Sequence, residues 1–184
     1  MKRLLLTLLA AIALPLSAAE VSGVKVDDKV RLGAAELTLS GAGLRKRLFF
    51  DVYVIGLYVA DRKADLIGQG GPKRVAIHML RDVGAGQFTG ALVDGINANH
   101  GEAESKALEP RVKELVAIMA EMKEAKKGMA IALDWTGSGT QVVIDGKPAG
   151  KPIAGEDFYR ALLRIWLGDK PVQDDLKKAL IGAR

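Results

Sequence analysis

The stretch Phe49-Phe50-Asp51-Val52-Tyr53-Val54-Ile55-Gly56-Leu57-Tyr58-Val59-Ala60 decides the fold of this chain. It is rich in β-branched and aromatic residues, which fit a pleated and buried strand. Apart from Asp51, both alternating faces are apolar, so the pattern predicts a strand that is covered on both sides. Gly56 in the middle of the strand indicates a bulge or a close approach of another backbone.

Shorter strands are predicted on either side of this stretch. Val21–Val26 and Glu36–Ser40 alternate apolar and polar residues, as half-buried strands do. Gly41-Ala42-Gly43 is expected to end the second of these and to separate it from the decisive strand. Downstream, Arg74–Arg81 alternates again, with Val75, Ile77 and Met79 on one face.

The second half of the chain contains two helical segments, then strands, then two further helices. Helices are predicted at 87–97 and at 105–126, with Gly128 ending the second, and strands at 129–135 and 141–144. Asp145-Gly146 is a strong signal for a two-residue hairpin turn. Pro148 and Pro152 confine the returning strand to a sheet edge.

The last two helices have separate signals. Phe158, Leu162, Ile165 and Trp166 form a helical stripe that stops at Gly168. In the final helix Asp174 and Asp175 precede Lys177 and Lys178, an order that complements the helix dipole. Short turns between consecutive strands favour antiparallel pairing, so the predicted class is α+β, with one mainly antiparallel sheet and helices packed on one face.

The N-terminus has the pattern of a secretory signal peptide. A basic start, Met1-Lys2-Arg3, is followed by an apolar run from Leu4 to Leu16 and by the small residues Ser17-Ala18-Ala19. The apolar run is about 13 residues, shorter than the roughly 20 of a spanning helix. We therefore expect residues 1–19 to be a cleaved signal, residues 20–184 to form one domain, and the protein to act in the periplasm without a membrane span. An uncleaved anchor is the alternative.

Composition excludes several classes of function. The chain has no cysteine, so disulfides, zinc–thiolate sites and cysteine nucleophiles are impossible. Without Lys2 and Arg3 the chain has 25 basic and 22 acidic side chains. This excess of positive charge is too small and too dispersed to indicate a nucleic-acid partner. His78 and His100 are the only histidines and have no nearby carboxylates in metal-ligand spacing, so we expect no metal site. No nucleotide loop is present, since the third glycine position after Gly41 and Gly43 is Lys46, and no cofactor is expected.

The basic triplet Arg45-Lys46-Arg47 lies directly before the decisive strand. Such triplets are usually a solvated face. If Gly41 and Gly43 bend the chain, however, Arg45 could point inward, where an unpaired guanidinium is costly. An inward Arg45 would need either an anionic ligand or a neighbouring acidic residue, and arginine is well suited to holding a planar carboxylate.

Several blocks resemble the chalcone isomerase-like family. They are Gly41-Ala42-Gly43-Leu44-Arg45, Phe50–Tyr58, Gly155-Glu156-Asp157-Phe158, and Ile165-Trp166-Leu167-Gly168-Asp169 followed by Asp175-Leu176-Lys177; the last two look like the exported bacterial branch. The resemblance spans about residues 21 to 182. It implies an open-faced β-sandwich in which a large antiparallel sheet carries helices on one face. It also implies a pocket between sheet and helices, with Arg45 at the position where the enzymes steady the substrate anion.

The resemblance departs from the enzymes at their other catalytic positions. The strand threonine of the enzymes falls at Tyr53, the catalytic tyrosine falls near Asn99 or His100, and the C-terminal pocket pair falls at Ile165 and Trp166. Arg45 alone could bind a charge without catalysing a reaction, because stabilisation of a developing anion needs several aimed donors.

Other members of the same fold bind fatty acids, with the arginine and a nearby tyrosine holding the carboxylate. The leading hypothesis is therefore non-catalytic binding of a fatty acid or similar small apolar carboxylate, with Arg45, Tyr53, His100, Ile165 and Trp166 as ligand-binding residues. One alternative is an intramolecular lyase or isomerase in which Arg45 stabilises an oxyanion and His100 carries a proton. Another is a structural or partner-binding protein without a ligand, in which Tyr53, Ile165 and Trp166 are core residues.

Overall fold

A computed structural model describes residues 18–62, 65–68 and 70–182 of the chain. The predicted signal segment lies outside the described residues up to residue 17, and the expected cleavage point after Ala19 falls inside the first strand. The strands are β1 (Ala18–Val21), β2 (Val24–Asp27), β3 (Lys29–Leu32), β4 (Ala35–Arg47), β5 (Phe50–Val59), β6 (Lys73–Met79), β7 (Val83–Gly84), β8 (Glu124–Ala125), β9 (Ala130–Trp135), β10 (Gly139–Ile144) and β11 (Lys147–Ala154). The helices are α1 (Ala85–Ala98), α2 (Glu102–Ala120), α3 (Glu156–Leu167) and α4 (Asp174–Leu180).

The central layer is a seven-stranded antiparallel sheet. Its strand order is β11-β10-β9-β6-β5-β4-β3, and two small two-stranded sheets, β1-β2 and β7-β8, accompany it. The predicted α+β class with a large antiparallel sheet is confirmed. The returning strand β11 lies at the sheet edge, where its prolines cost no ladder hydrogen bond.

Strand β5 is covered on both faces, as its sequence predicts. Ile55 and Leu57 belong to the large core that the sheet shares with the helices. Val54 and Tyr58 belong to a smaller core on the opposite face, together with Val26 of the β1–β2 hairpin. None of the helices among the described residues is long and apolar enough to cross a membrane.

Three predicted element boundaries are wrong. Val21–Val26 is not one strand, because Ser22 and Gly23 turn the chain with positive φ angles of 48° and 79° and make the β1–β2 hairpin. Gly41-Ala42-Gly43 does not end a strand, since β4 runs through it to Arg47. Helix α2 stops at Ala120 because Glu124 and Ala125 pair with β7 as strand β8.

The glycines of β4 allow helix α4 to pack directly against the strand. A Cβ atom on Gly41 would overlap the Ala179 carbonyl oxygen, and one on Gly43 would lie 2.7 Å from Leu176 Cδ1. Both positions therefore need glycine for close approach, and neither ends the strand. The docked helix brings the residue just before it, Gln173, to the end of β4 that carries Arg45.

Candidate functional site

A cavity of about 470 Å³ lies between the large sheet and the helices, beside the end of β4 and the start of β5. Its volume is within the roughly 300–1,000 Å³ typical of small-molecule sites. The walls come from β4, β5, the segment leading into α1, α1 itself, α3 and the segment before α4. Elements far apart in sequence therefore meet around one space.

Arg45 lines this cavity from β4, where it lies opposite Tyr53 of β5 in the strand register. Its Nη1 donates to the Lys46 carbonyl oxygen at 2.5 Å and to Gln173 Oε1 at 3.3 Å. Within the described parts of the chain, no acidic side chain forms an ion pair with it. Arginine has five N–H donors and these two contacts use only Nη1, so other N–H groups remain to donate to further acceptors.

Gln173 forms hydrogen bonds with the end of β4 that carries Arg45. The sequence did not predict this residue as part of the site. Its Oε1 accepts from the Lys46 backbone N–H at 2.9 Å, and its Nε2 donates to the Leu44 carbonyl at 3.2 Å. The side chain thus completes hydrogen bonds that β3 does not reach, because β3 pairs only with residues 35–38 of β4. A single glutamine before a helix gives no sequence signal for such a contact.

Tyr53 presents a neutral hydroxyl group beside Arg45. It is only 8% exposed, and its hydroxyl oxygen accepts a hydrogen bond of 3.0 Å from Trp166 Nε1. Burial raises the pKa of Tyr53, and the Trp166 hydrogen bond and the Arg45 charge oppose that effect only in part. Since Trp166 Nε1 donates to this oxygen, the hydroxyl hydrogen of Tyr53 remains able to donate to another acceptor.

The charged side chains around the cavity are mostly positive. Arg45, Arg47 and Arg81 line it, against one acidic residue, Asp82. The Asp82 carboxylate is itself engaged, because its Oδ1 accepts from the Lys127 backbone N–H at 2.7 Å. The balance therefore favours an anionic group in the cavity.

Apolar side chains form the inner wall. Phe88 of α1 meets the Tyr53 ring edge to face, with ring centroids 6.4 Å apart and planes at 78°. Val52, Leu92 and Ile165 also line the space. A cavity with an apolar wall and a few polar groups at one end suits an amphipathic guest.

The structure brings together most of the residues predicted from sequence. Arg45, Tyr53 and Ile165 line the same cavity. Trp166 is fully buried behind Tyr53 and reaches the cavity only through their hydrogen bond. Sequence reasoning missed Arg81 and Phe88, whose spacing gives no motif because separate segments bring them to the cavity.

His100 lies away from this group, contrary to the expectation that it joins Arg45. It follows α1, and its Nδ1 lies 2.7 Å from the Ile96 carbonyl oxygen. It lines a separate depression with Asn99 and Arg164, near the other end of α1. In the part of the chain that the structure describes, no three potential metal-ligating side chains cluster together.

Comparison with known proteins gives one family and one fold. The family model described as chalcone isomerase-like matches residues 18–182. A crystal structure of a fatty-acid binding protein from Arabidopsis thaliana matches with a TM-score of 0.69 and 14% identity, covering 87% of this chain and 92% of that chain. At this identity the likeness shows the fold. No protein of curated function matches the sequence.

Proposed function

This chain belongs to the chalcone isomerase-like family, and we propose that it binds a fatty acid, or a similar small apolar carboxylate, without transforming it. The observation that carries the proposal is the environment of Arg45. It lines an apolar cavity, and among the described residues it has no acidic partner. A guest carboxylate would supply the missing negative charge.

In this proposal each group has its own task. Arg45 binds the carboxylate with its free N–H donors, and Tyr53 donates its hydroxyl hydrogen to the same group. Trp166 fixes the orientation of the Tyr53 hydroxyl through their 3.0 Å hydrogen bond. The alkyl chain lies along Val52, Phe88 and Ile165. The Arabidopsis thaliana protein of the same fold is described as a fatty-acid binding protein, which supports this guest.

The location and the absence of turnover belong to the proposal too. The N-terminal pattern favours export to the periplasm, as a member of an exported bacterial branch of the family. The isomerase alternative loses support because His100, its proton carrier, lines a different depression. Arg45 and Tyr53 together can hold an anion, and the described part of the cavity offers no histidine to move a proton.

Calorimetric titration of the purified protein with palmitate and with hexadecanol tests this function. We expect Arg45→Gln to weaken palmitate binding roughly tenfold to a hundredfold, the value of a charge-assisted hydrogen bond. Hexadecanol has no charge, so its affinity should be the same in both proteins. Arg31→Gln removes an arginine on β3 that does not line the cavity, and serves as the control.

Two results would contradict the proposal. One is a wild-type protein that does not distinguish palmitate from hexadecanol. The other is an Arg45→Gln variant that retains the wild-type palmitate affinity. Solvent extraction of the protein, followed by mass spectrometry, then identifies the carboxylate that is bound when the protein is made in cells.

A further inference from the structure

The tip of the β4–β5 hairpin exposes large apolar side chains to solvent. Leu48, Phe49 and Phe50 are 84%, 97% and 54% exposed. Among the described residues, the only other large apolar side chain of this kind is Ile181, at 45%. Burying such surface is favourable, so a concentration of it at one point marks a contact with another apolar phase.

The turn at the tip is made of residues that turns ordinarily avoid. Arg47 pairs with Phe50, so Leu48 and Phe49 alone make the two-residue connection. Leu48 has a positive φ of 54°, in the region where glycine or asparagine is normally found. The chain therefore keeps a bulky apolar residue at a backbone position that disfavours it, a cost that solubility or folding alone does not explain.

Positive charge surrounds this apolar tip. Lys46 and Arg47 lie on β4 immediately before it, and the Arg81 guanidinium lies 4.3 Å from the centre of the Phe50 ring. The acidic side chains close to them are Asp51, 3.7 Å from Lys46 Nζ, and Asp82. An apolar tip surrounded by basic side chains complements a surface that carries negative charge on its outside and has an apolar layer beneath.

The tip is also continuous with the cavity. Arg47, Leu48 and Phe50 belong to the tip and also line the cavity, whereas Phe49 is 97% exposed and does not line it. Since Leu48 and Phe50 are exposed, the cavity reaches the surface at this end, which we call the cavity mouth, and whatever the tip contacts lies beside it.

We propose that the β4–β5 tip inserts into the surface of an anionic phospholipid bilayer. Leu48 and Phe49 enter the boundary between headgroups and acyl chains, while Lys46, Arg47 and Arg81 contact the headgroup phosphates. The cavity mouth then faces the lipid, which gives a fatty acid a path between bilayer and protein without crossing water. This last step rests on the proposed function; the membrane contact itself does not.

Flotation with vesicles of phosphatidylcholine, with and without phosphatidylglycerol, tests the contact. Wild type should float with the phosphatidylglycerol vesicles and less at high salt, which screens the charges. Phe49→Ser should weaken partitioning roughly tenfold or more, as expected for a lost buried aromatic side chain. Arg47→Gln should weaken it roughly fivefold, the value of one cation at an anionic surface.

Ile181→Ser is the matched control, because it removes the exposed apolar side chain outside the tip and should leave flotation unchanged. Phe49→Trp should keep binding and give a fluorescence shift to the blue on phosphatidylglycerol vesicles, since tryptophan favours the membrane interface. All variants share one N-terminus, whose processing is checked by mass, so differences between them arise from the tip.

The outcomes separate this contact from the proposed function. Phe49 does not line the cavity, so Phe49→Ser should bind palmitate in solution with wild-type affinity. Loss of palmitate binding in Arg45→Gln with normal flotation leaves the contact standing. Absence of vesicle binding, equal flotation of Phe49→Ser, or a wild-type dimer that Phe49→Ser makes monomeric would overturn the membrane proposal, the last because the tip would then bind a second copy.

Discussion

The Arg45 guanidinium is oriented by a neutral side chain, that of Gln173, rather than by an acidic one. Gln173 Oε1 lies 3.3 Å from Arg45 Nη1, close enough to orient the guanidinium. An amide oxygen does not cancel the positive charge, whereas a carboxylate at the same place would. The identity of residue 173 therefore decides whether Arg45 is available to a guest.

We expect Gln173→Glu to weaken palmitate binding roughly tenfold or more, because the new carboxylate competes for the charge-assisted hydrogen bonds of Arg45. Calorimetric titration measures the effect, and hexadecanol affinity should stay the same. Asn97→Asp makes the same charge change at an exposed position of α1 and serves as the control. Wild-type palmitate affinity in Gln173→Glu would show that Arg45 does not hold the carboxylate.

Sequence reasoning reached Arg45 through the basic triplet and the family resemblance, and Tyr53 through the resemblance. Residue pattern predicted the strand that carries Tyr53, but not the extension of β4 that carries Arg45. Sequence reasoning did not reach Gln173 or Arg81, because their places depend on how α4 docks on β4 and how the β6–β7 segment turns. Such contacts are decided by side-chain packing between distant segments, which local patterns do not encode. The place of His100 could not be predicted for the same reason. The sequence does not show whether a residue just after α1 lies near Arg45 or near a different depression.

At the scale of elements, the pairing of β4 with α4 shapes the site. The backbone of Gly41 and Gly43 packs directly against α4. This contact determines which residues of β4 lie beside Gln173. The sequence pattern suggested that these glycines make a turn. The two register shifts of β4 against β5, between Leu39 and Gly41 and between Arg45 and Lys46, leave the strand continuous. Helix docking, a tertiary requirement, accounts for the glycines.

A pair of glycine substitutions tests this account. Gly41→Ala should lower the free energy of unfolding by about 1–3 kcal/mol, because the new methyl group overlaps the Ala179 carbonyl and α4 must shift. Gly90→Ala in α1 meets no atom within 4 Å and should instead raise it by up to about 1 kcal/mol. Urea denaturation measures both changes. A stability gain in Gly41→Ala would contradict the close approach of α4.

At the scale of the whole molecule, all three tyrosines of the chain are buried. Burial raises the pKa of Tyr58 to about 12, with the Asp27 charge adding to the effect. It also raises the pKa of Tyr53, and that of Tyr159 well above its ordinary value. No tyrosine therefore titrates normally while the fold is intact.

Alkaline titration should report unfolding through these groups. Below about pH 10 the tyrosines are protonated in both folded and unfolded chains, so they add no pH dependence. Above that pH the unfolded chain releases protons that the folded chain keeps, and stability falls as pH rises towards the raised pKa values. As the pH is raised, we expect tyrosinate absorbance to appear only above pH 10, together with the loss of circular dichroism that marks unfolding. In urea, where the chain is unfolded, the tyrosinate absorbance should appear near pH 10. Gradual titration near pH 10 in buffer without urea would contradict the burial of the tyrosines.

The position of Arg45 opposite Tyr53 in the strand ladder has a consequence for how such proteins diversify. The spacing of these two residues is set by strand pairing, so the hairpin residues beyond them can change in length or polarity without moving this pair. In the two proposals made above, the guest and the docking surface are selected by adjoining parts of one hairpin, which share Leu48 as a residue of both the tip and the cavity wall. Replacing Phe49 alone, which does not line the cavity, would then change the surface that the tip contacts while the cavity lining stayed the same.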